Sequence, residues 1–565
     1  MINKFTVGLD YGTNSVRALI TNTSNGNVLG VGVFDYLSGE DGILSEALNS
    51  QLARHNPEDY IRGFVHSIKI AICQAQSHKE FRIENIVGIG ISTTGSSPLP
   101  VDKRGIPLSM LPQFKNDLSS YIWLWKDHTA NVEAKKITQL VNDRQLPYLK
   151  NCGGTYSSEW FWSKILHCLN ISEEIFKAAY SWVEICDFIP AYVCNGYTLE
   201  TIKRSACAAG HKAMFNHAWG GLPSKSFLEE LHPELNILRD RLYSEIFTSD
   251  KIAGFLSKRF SLETGIPSGI PVTVGGFDVH HGAIGVGIKE GVLVKAIGTS
   301  TCDIVVTNPN LNSKEIPGIC GSVKGSVLPN MIGIEAGQSA VGDIFKWFIK
   351  KFYRYKQYSD SHQELTKQAK RIHPGESGLI ALDWNNGNRT VLADHELTGL
   401  ILGHNLHTNA AEIYRTLLEA TAFGALTIIK HLKSHDIEIN EIICCGGIAN
   451  KNDLMMQIYA DILNYPIYVN KSSQACALGS SIFAATASGI YENVTKAQIA
   501  MAETSCIIYK PIQSNVDIYK KLYVIYSDLH DSFSSLNMKT NLSHVMKTLL
   551  HIKKKSLLTN VKTVK

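Results

Sequence analysis

The stretch IPVTVGGFDVHHGAIGVGIKEGVLVKAIGTSTCD, residues 270–303, is the most informative segment of the chain. It contains two apolar runs typical of buried strands, at 271–274 and 292–297. Asp278 follows the first run after a glycine pair, and a Gly-Thr-Ser-Thr turn at 298–301 follows the second. A carboxylate at a strand end is well placed for chemistry, and a Gly/Thr turn offers N–H and hydroxyl donors to phosphate. The working hypothesis is a phosphoryl-transfer enzyme; in the alternative interpretation Asp278 only caps a helix and the turn only closes a hairpin.

Residues 5–20 repeat this arrangement near the N-terminus. They read FTVGLDYGTNSVRALI, which is an apolar run, a tight polar turn and a second apolar run, with Asp10 at the entrance of the turn. The Gly12-Thr13 pair lies about half a chain length before the Gly-Thr pair at 298–299, which indicates an internal duplication. Two such hairpins facing across a cleft would hold a polyphosphate from both sides. Neither is a Walker A loop, because no lysine follows the glycine turn.

Length and composition limit the class of protein. A chain of 565 residues is too long for one ordinary core, so two or more domains are expected, and 44% hydrophobic and 19% charged residues are typical of a soluble globular protein. No apolar run approaches the roughly 18 residues that span a bilayer, and the start of the chain has a strand pattern rather than a signal peptide. The twelve cysteines have no framework spacing, which predicts reduced thiols and a cytoplasmic protein. The absence of CxxC and HExxH motifs argues against a zinc site.

The net charge of +4 is concentrated at the C-terminus. Seven lysines and no acidic residue follow Asp531, so the preceding part of the chain is mildly acidic. This distribution argues against a nucleic-acid-binding groove, and no membrane partner is expected. Residues 531–565 are predicted to form a mobile, solvated basic tail, with a weak amphipathic helix as the alternative. The sequence leaves open whether the chain forms a homodimer.

Polar groups outside the two hairpins are candidate sugar contacts. A buried-strand pattern at 86–92 ends in a Thr-Thr-Gly-Ser turn, and a Lys-Asp pair at 126–127 follows an aromatic run. Sugar sites often combine an aromatic surface with charged hydrogen-bonding groups. Further along, a lysine ends a small-residue segment, where it is either a sugar anchor or a solvated surface residue, and a glutamate stands at a predicted strand-to-helix junction. These candidates are Gly95, Ser96, Lys126, Asp127, Lys212 and Glu335.

Other segments are interpreted as structural. The string GGTYSSEWFWSKI at 153–165 predicts a helix start with Glu159 in its first turn, and Trp160 and Trp162 are assigned to the core rather than to a ligand. Residues 350–389 are polar and predict an irregular surface excursion.

Two segments of the second half have glycines or small residues at positions where the predicted structure requires close approach of the backbone. Residues 439–463 predict a strand, a turn at Gly446-Gly447 and an amphipathic helix, whose N-terminus would favour anionic groups. Residues 477–489 predict a small-residue helix suited to tight packing.

These strings together resemble the FGGY family of carbohydrate kinases. The general family pattern is similar to GLDYGT (8–13), LWKD (124–127), GGFD (275–278), IGTST (297–301), GLILGH (399–404) and CGGIANKND (445–453). A second set is similar to the ribulose-phosphorylating members: STTGSSPLPVD (92–102), WKDHTA (125–130), GGTYSSEWFWSKI (153–165), EICDFIPA (184–191), CAAGHK (207–212), WGGLP (219–223) and GIEAGQSAVGD (333–343). The resemblance implies an α/β fold of two duplicated actin-like (ribonuclease H-like) domains around a central cleft. The expected domains are 1–285, which binds sugar, and 286–530, which binds nucleotide.

The resemblance also implies ATP-dependent phosphorylation of a ketopentose at O5, with Mg²⁺ as cofactor. L-Ribulose is the expected substrate, with D-ribulose as a second, in L-arabinose catabolism. Asp278 matches the catalytic base, and Asp10 matches the carboxylate that organises Mg²⁺ through water. With the residue-based candidates, the expected sugar contacts are Gly95, Ser96, Lys126, Asp127, Lys212, Asp278 and Glu335. The expected nucleotide contacts are Gly12, Thr13, Asn14, Gly298, Thr299, Ser300, Thr301, Gly446, Gly447 and Asn450.

The expected mechanism follows from charge. Phosphoryl transfer has a loose transition state, so the protein mainly positions groups and neutralises charge. An ionised Asp278 near the reference pKa of about 4 would orient the sugar hydroxyl and accept its proton late. The rival functions are a kinase of another pentulose, such as xylulose or D-ribulose, and a non-catalytic sugar- or nucleotide-binding regulator. A regulator would be expected to lack Asp278 or one of the Gly-Thr turns, and the chain has them all.

Overall fold

The computed structural model describes residues 3–47, 49–309, 315–353 and 358–534. This part of the chain forms two halves, each built around an open mixed β-sheet, and a central cleft lies between them. The duplicated actin-like α/β fold predicted from the hairpin repeat and the resemblance is therefore confirmed. The predicted basic tail lies outside the described residues from 535 onward.

The N-terminal half contains twelve strands and ten α-helices among the described residues. Its strands are β1 (Phe5–Tyr11), β2 (Ser15–Asn22), β3 (Val28–Asp35), β4 (Leu44–Glu46), β5 (Asn49–His55), β6 (Ile86–Thr93), β7 (Pro98–Val101), β8 (Ile122–Trp123), β9 (Ser181–Glu184), β10 (Ile252–Phe255), β11 (Pro271–Thr273) and β12 (Gly276–Phe277). Its helices are α1 (Pro57–Ala75), α2 (Asn131–Asp143), α3 (Phe161–Ile171), α4 (Glu173–Ala178), α5 (Ile185–Tyr192), α6 (Ala206–Lys212), α7 (Lys225–Leu231), α8 (Pro233–Arg239), α9 (Lys258–Thr264) and α10 (Asp278–Gly285).

The C-terminal half contains nine strands and eight α-helices in its described part. Its strands are β13 (Gly291–Ile297), β14 (Thr301–Thr307), β15 (Gly321–Lys324), β16 (Ile332–Ala336), β17 (Ile380–Leu382), β18 (Leu400–Leu402), β19 (Ile439–Cys445), β20 (Ile467–Asn470) and β21 (Cys506–Tyr509). Its helices are α11 (Gly342–Phe352), α12 (Tyr358–Ala369), α13 (Ala410–Ser434), α14 (Gly447–Lys451), α15 (Asp453–Leu463), α16 (Ala475–Ala487), α17 (Val494–Met501) and α18 (Gln513–Phe533).

The two large sheets share the same connectivity. In the N-terminal sheet β1, β2 and β3 pair antiparallel in sequence, β6 joins the other side of β1 in parallel, and β11 pairs in parallel with β6. In the C-terminal sheet β13, β14 and β16 pair antiparallel, β19 joins β13 in parallel, and β20 pairs in parallel with β19. In each sheet a Gly-Thr turn joins the first two strands. The two turns therefore occupy equivalent places in the duplicated fold.

Helix α16 belongs to the C-terminal half by sequence but packs against the N-terminal sheet. The Ser480 hydroxyl on this helix donates a hydrogen bond to the carbonyl oxygen of Leu9 at 3.1 Å. The hydroxyls of Thr21 on β2 and Ser481 lie 3.0 Å apart. All seven residues of β1 are buried, because the sheet is covered on both faces.

Helices α10 and α16 approach each other through glycines. A Cβ atom on Gly479 would lie 1.8 Å from the carbonyl oxygen of His281, and one on Gly285 would lie 2.1 Å from that of Ala475. No side chain larger than hydrogen fits at either position without moving the backbone. This confirms the tight packing predicted from the small residues at 477–489, and it joins the two halves beside the cleft.

The prediction for residues 350–389 was wrong for part of the segment. Instead of an irregular surface excursion, α12 and β17 contribute to the C-terminal core, where Leu365 and Ala369 are fully buried. Most residues of α12 are polar, so the composition of the segment does not reveal the few apolar residues that face the core. Residues 354–357 lie outside the described residues.

The substitution Gly479→Ala tests the close helix contact. The added methyl group must push α10 and α16 apart, so we expect the free energy of unfolding to fall by about 1–3 kcal/mol, the usual cost of overpacking. Urea denaturation followed by circular dichroism measures this change. Thr486→Ala, a half-buried position on the same helix, is the matched control and should change stability by less than about 0.5 kcal/mol. Equal stability of the two variants would contradict the close approach.

Candidate active site

A cavity of about 370 Å³ lies in the cleft between the two halves. Thr13, from the turn between β1 and β2, lines it together with residues 298–300 from the turn between β13 and β14. Asp278, the first residue of α10, lines the same cavity. The acid and the two hairpin turns therefore face one common space. This convergence is the arrangement that the phosphoryl-transfer hypothesis requires.

Two carboxylates lie near each other, at the ends of two strands, β1 and β12, that both pair with β6. Asp278 follows β12, and its Oδ1 accepts a hydrogen bond from the N–H of Val279 at 2.7 Å. Burial, and then the adjacent Asp10 carboxylate, raise the pKa of Asp278 to about 7. Burial also raises the pKa of Asp10 to about 6, although Arg17 at 3.8 Å and a hydrogen bond from Ser92 oppose that rise. The ordinary pKa of about 4 expected for Asp278 was therefore wrong, because neither burial nor the neighbouring charge is visible in the sequence.

The donor set around these carboxylates suits a hard divalent cation. Mg²⁺ prefers oxygen ligands and is commonly held by one or two carboxylates together with phosphates and water. Asp10 and Asp278 supply such oxygens, and a cation near them would stabilise both ionised carboxylates against the burial that raises their pKa values and against the Asp10 charge that further raises that of Asp278. The residues present therefore fit a divalent metal that binds together with a nucleotide.

The turn at 298–300 is held by backbone hydrogen bonds. The N–H of Gly298 donates to the carbonyl of Ser300 at 2.9 Å, and the carbonyl of Thr299 accepts from Val341 at 2.8 Å. Gly446 packs on the end of β13 with a φ of 101°, and a Cβ atom there would lie 2.5 Å from the carbonyl oxygen of Ile297. Only glycine fits this position, so its backbone lies directly at the cavity wall.

An ion pair between the two halves lies at another wall of the cavity. Lys212 Nζ, at the end of α6, lies 3.1 and 3.2 Å from the two carboxylate oxygens of Glu335 on β16. Burial disfavours both charges, but the pKa of Glu335 is held well below its usual range by Lys212 and two histidines, and that of Lys212 is raised by Glu335. Lys212 Nζ also lies 5.1 Å from the ring centre of Trp160 and 5.8 Å from that of Phe277. The group is a charged and aromatic surface of the kind that polyols favour.

The turn at 95–97 is held in place by two buried charged residues that the sequence analysis missed. The Ser96 hydroxyl donates to Glu184 Oε1 at 2.7 Å, and the N–H of Ser97 donates to Glu184 Oε2 at 2.6 Å. Lys164 Nζ donates to the carbonyl of Ser96 at 2.8 Å. Gly95 and Ser96 both line the cavity. The Ser96 hydroxyl already donates its proton to Glu184. Its oxygen can therefore only accept a hydrogen bond from a ligand.

Two predicted sugar contacts, Lys126 and Asp127, do not line the cavity. Asp127 is fully buried, forms an ion pair with Arg54 and accepts hydrogen bonds from the N–H of Ala53 and the hydroxyl of Thr129. Its geometry is that of a structural ion pair. Burial lowers the pKa of Lys126, and Asp343 of the other half partly opposes this effect.

Several predicted nucleotide and metal residues support the cavity without lining it. The Thr301 hydroxyl accepts from the N–H of Gln338 at 2.9 Å, and Asn450 Nδ2 donates to the carbonyl of Asn470 at 3.0 Å. Asn14 Nδ2 donates to the carbonyl of Asp41 at 2.7 Å. The predicted residues that line the cavity are Thr13, Gly95, Ser96, Lys212, Asp278, Gly298, Thr299, Ser300, Glu335, Gly446 and Gly447. Those that do not are Asp10, Gly12, Asn14, Lys126, Asp127, Thr301 and Asn450.

Three further residues line the cavity although the sequence analysis assigned them elsewhere. Trp160 was placed in the core; it is largely buried, but it also faces the cavity. Glu159 was interpreted as a first-turn residue of a helix, and Arg389 was placed in a surface excursion. All three face the cavity beside the Lys212–Glu335 pair. The GGTYSSEWFW string contains Trp160 and Glu159, and its resemblance to the family pattern could have indicated their place in the site. No comparable pattern surrounds Arg389.

Comparisons with known proteins identify the family of the chain. The model of the FGGY family of carbohydrate kinases, N-terminal domain, matches residues 5–285, and that of its C-terminal domain matches residues 293–488. The chain is 38% identical to the ribulokinase of Vibrio parahaemolyticus over 541 residues, covering 93% of this chain and 95% of that protein. It is 37% identical to the ribulokinase of Shouchella clausii over 572 residues, covering 98% and 99% respectively.

Solved structures extend the comparison to the fold. The xylulose kinase of Rhodospirillum rubrum superposes with a TM-score of 0.77 at 18% identity, covering 94% of this chain and 99% of that one. The glycerol kinase of Plasmodium falciparum with ADP superposes with a TM-score of 0.74 at 16% identity, covering 94% and 98%. At these identities the likeness establishes the fold alone. Among the described residues, no helix is long and apolar enough to cross a membrane.

The substitution Asp127→Asn separates a structural from a sugar-binding role. It leaves the buried guanidinium of Arg54 without its counter-charge, so we expect a loss of about 3–5 kcal/mol in the free energy of unfolding. Urea denaturation measures that loss, and sugar titration of the folded variant should show an unchanged dissociation constant. The double variant Arg54→Met/Asp127→Asn should regain part of the stability because no unpaired charge remains. A stable Asp127→Asn variant that binds sugar weakly would contradict the structural assignment.

Proposed function

The chain belongs to the FGGY family of carbohydrate kinases, and from this premise we propose that it is a ribulokinase. The proposed reaction transfers the γ-phosphate of ATP to O5 of L-ribulose, with D-ribulose as a second substrate, and serves L-arabinose catabolism. The observation that carries the proposal is that Asp278, the two hairpin turns and the Lys212–Glu335 pair line one cavity. Several relatives named ribulokinase align over more than nine-tenths of the chain, which supports the choice of sugar.

In the proposed mechanism Asp278 orients the attacking hydroxyl. With O5 beside Asp278, the ionised carboxylate accepts a hydrogen bond from that hydroxyl and takes its proton as the bond to phosphorus forms. The N–H and hydroxyl groups of Thr13 and of residues 298–300 are available to the transferred phosphate, and the backbone at Gly446-Gly447 to the nucleotide. Positioning and charge neutralisation are most of what a loose phosphoryl transition state requires.

We further propose that Mg²⁺ is the divalent metal and that Asp10 holds it through water. When bound with ATP, Mg²⁺ would supply positive charge that neutralises the phosphates, and Asp10 is the residue that would hold it. Asn14, Thr301 and Asn450 then act on the nucleotide indirectly, by holding the turns that touch it. The corresponding division of labour is a sugar-binding domain at 1–285, a nucleotide-binding domain at 286–530 and a basic tail at 531–565.

The proposed location is the cytoplasm. All twelve cysteines are free thiols, and ten of them have a pKa that burial raises, which keeps those thiols protonated and unreactive. A reducing compartment suits such a set. No nucleic-acid or membrane partner is part of the proposal.

A coupled ADP-release assay across a panel of ketopentoses tests the proposed function. L-Ribulose should give the highest kcat/KM, and D-ribulose should be turned over less efficiently. A preference for xylulose would make the chain another pentulose kinase of the same family. Sugar binding without any ADP release would indicate a non-catalytic regulator and overturn the proposal.

The substitution Asp278→Asn tests the assignment of the base. Removing the proton acceptor should lower kcat by about 10²- to 10⁴-fold, the usual contribution of a positioned acid–base group. Sugar binding measured by calorimetry should persist, because the amide retains the shape of the carboxylate. Asp143→Asn, an exposed position on α2, is the matched control. A variant that binds sugar normally and keeps full turnover would refute the role of Asp278.

The raised pKa of Asp278 predicts the pH dependence. The base works in its ionised form. Its pKa is about 7 without a cation and a bound cation lowers it, so kcat/KM for the sugar should be constant above about pH 8 and fall along an acidic limb at or below pH 7. In Asp10→Asn the acidic limb should move to lower pH, because the neighbouring charge that raises the pKa of Asp278 is lost. Steady-state profiles from pH 5 to pH 9 measure both limbs. An acidic limb that stays in place in Asp10→Asn would contradict the coupling of the two carboxylates.

A further inference from the structure

Two charged side chains that line the cavity have no role in the mechanism described above. Glu159 comes from the N-terminal half, just before α3, and Arg389 comes from the C-terminal half, in the loop between β17 and β18. The closest approach of the two groups is 3.9 Å, between Arg389 Nη2 and Glu159 Oε1. This separation is too long for a hydrogen bond but keeps the charges paired.

Both side chains retain hydrogen-bonding capacity. Within the described part of the chain, the guanidinium of Arg389 donates no hydrogen bond and the carboxylate of Glu159 accepts none; His128 Nδ1 lies 3.7 Å from Glu159 Oε1. The two side chains are 22% and 19% exposed, and they face the cavity. A guanidinium carries five N–H donors and no acceptor, whereas a carboxylate only accepts. The pair therefore offers donors and acceptors side by side to a ligand.

The loop that carries Arg389 is anchored on the sheet. The hydroxyl of Thr390 accepts a hydrogen bond from the N–H of Gly337 at 3.2 Å, and Asn388 exchanges two backbone hydrogen bonds with Asp394 at 2.8 and 2.9 Å. Glu159 is held by its own N–H, which donates to the Ser157 hydroxyl at 3.2 Å. Both charged groups are thus presented from fixed backbone.

The pair lies at the end of the cavity away from the phosphate-facing turns. A smaller adjoining cavity of about 50 Å³ shares Glu159, Lys212, Glu335 and Arg389 with the main cavity but is not lined by residues 298–300. If O5 of a ketopentose faces Asp278 and the turns, the chain of the sugar must extend toward this end. Its C1 hydroxyl and C2 carbonyl would then lie toward the end of the cavity that Glu159 and Arg389 line together with Lys212 and Glu335.

We propose that Arg389 and Glu159 recognise the keto end of the sugar, an inference that rests on the proposed ketopentose kinase activity. The guanidinium of Arg389 donates to the C2 carbonyl oxygen, and the carboxylate of Glu159 accepts from the C1 hydroxyl. The keto end offers one acceptor and one donor on adjacent carbons, which complements the pair. Because one group comes from each half, a bound sugar bridges the cleft at this point.

Sugar analogues that each lack one oxygen test the two contacts separately. The probes are L-ribulose, 1-deoxy-L-ribulose, which lacks the C1 hydroxyl, and the corresponding 2-deoxypentitol, which has no oxygen at C2. Calorimetry gives their dissociation constants for the wild type, Arg389→Met and Glu159→Gln. A hydrogen bond to a charged group contributes about 1.5–3 kcal/mol, so the wild type should bind each analogue about 10- to 100-fold more weakly than ribulose.

The expected pattern is selective. Arg389→Met should lose most of the discrimination against the 2-deoxypentitol. Glu159→Gln, which keeps an acceptor oxygen but loses the charge, should lose part of the discrimination against 1-deoxyribulose. Arg389→Lys keeps the positive charge but lacks the planar guanidinium group, so it should show intermediate discrimination. This variant also provides a second test if the methionine variant does not fold. Arg104→Met, at an exposed arginine paired with Asp102, is the matched control and should behave as wild type.

The experiment distinguishes failure of the proposed kinase function from failure of the proposed role of Arg389 and Glu159. If the wild type neither binds nor phosphorylates ribulose, the proposed function fails. If the wild type phosphorylates ribulose but folded Arg389→Met and Glu159→Gln keep the wild-type discrimination against both analogues, only the inference is overturned. Equal weakening for all three ligands would likewise overturn it, since that is the signature of a purely structural pair.

Discussion

The close contact between α10 and α16 is the constraint on which the geometry of the cleft depends. Asp278 is the first residue of α10, and α16 is fixed to β1 by the hydrogen bond from Ser480 to Leu9, the residue before Asp10. The position of one carboxylate relative to the other is therefore set by a helix pair that tolerates only glycine at Gly285 and Gly479. β12, which leads into α10, also pairs with β6 beside β1. Helix packing and strand pairing thus bring the two acids to the same edge of the sheet.

The electrostatics of the cavity differ between its ends. Asp10 and Asp278 are buried near each other. Burial raises the pKa of Asp10 to about 6, and burial together with the Asp10 charge raises that of Asp278 to about 7. In contrast, Lys212 with Glu335 and Arg389 with Glu159 are paired opposite charges. An excess of negative charge suits a cation that arrives with phosphate, whereas balanced pairs suit a neutral sugar with many hydroxyls. The distribution of charge therefore matches the two ends of the proposed reaction.

Local sequence patterns were sufficient to predict much of the fold and part of the candidate site. The hairpins and their Gly-Thr turns are short segments whose strand pattern and turn chemistry are both visible in sequence, so the duplication and the positions of Thr13 and Asp278 could be predicted. Lys126 and Asp127 show the limit of this reasoning. A charged pair after an aromatic run is compatible with a sugar site, but the partner of Asp127 is Arg54, far away in sequence. Arg389 was missed for the same reason, since only the tertiary fold brings its loop to Glu159.

Groups from both halves meet within the cavity, and this arrangement has a consequence for closure. The Lys212–Glu335 pair joins the halves within the cavity, while α10 and α16 join them at a contact too tight for any side chain. For any change in the width of the cleft we therefore expect the helix contact to be the pivot, with the main displacement between Thr13 and residues 298–300, the proposed nucleotide turns. Narrowing there would bring Thr13 toward residues 298–300 and expel water from around the transferred phosphate, which limits wasteful hydrolysis of ATP. A rigid contact between the helices and an adaptable space between the turns is what a kinase needs to admit a large nucleotide and still exclude water.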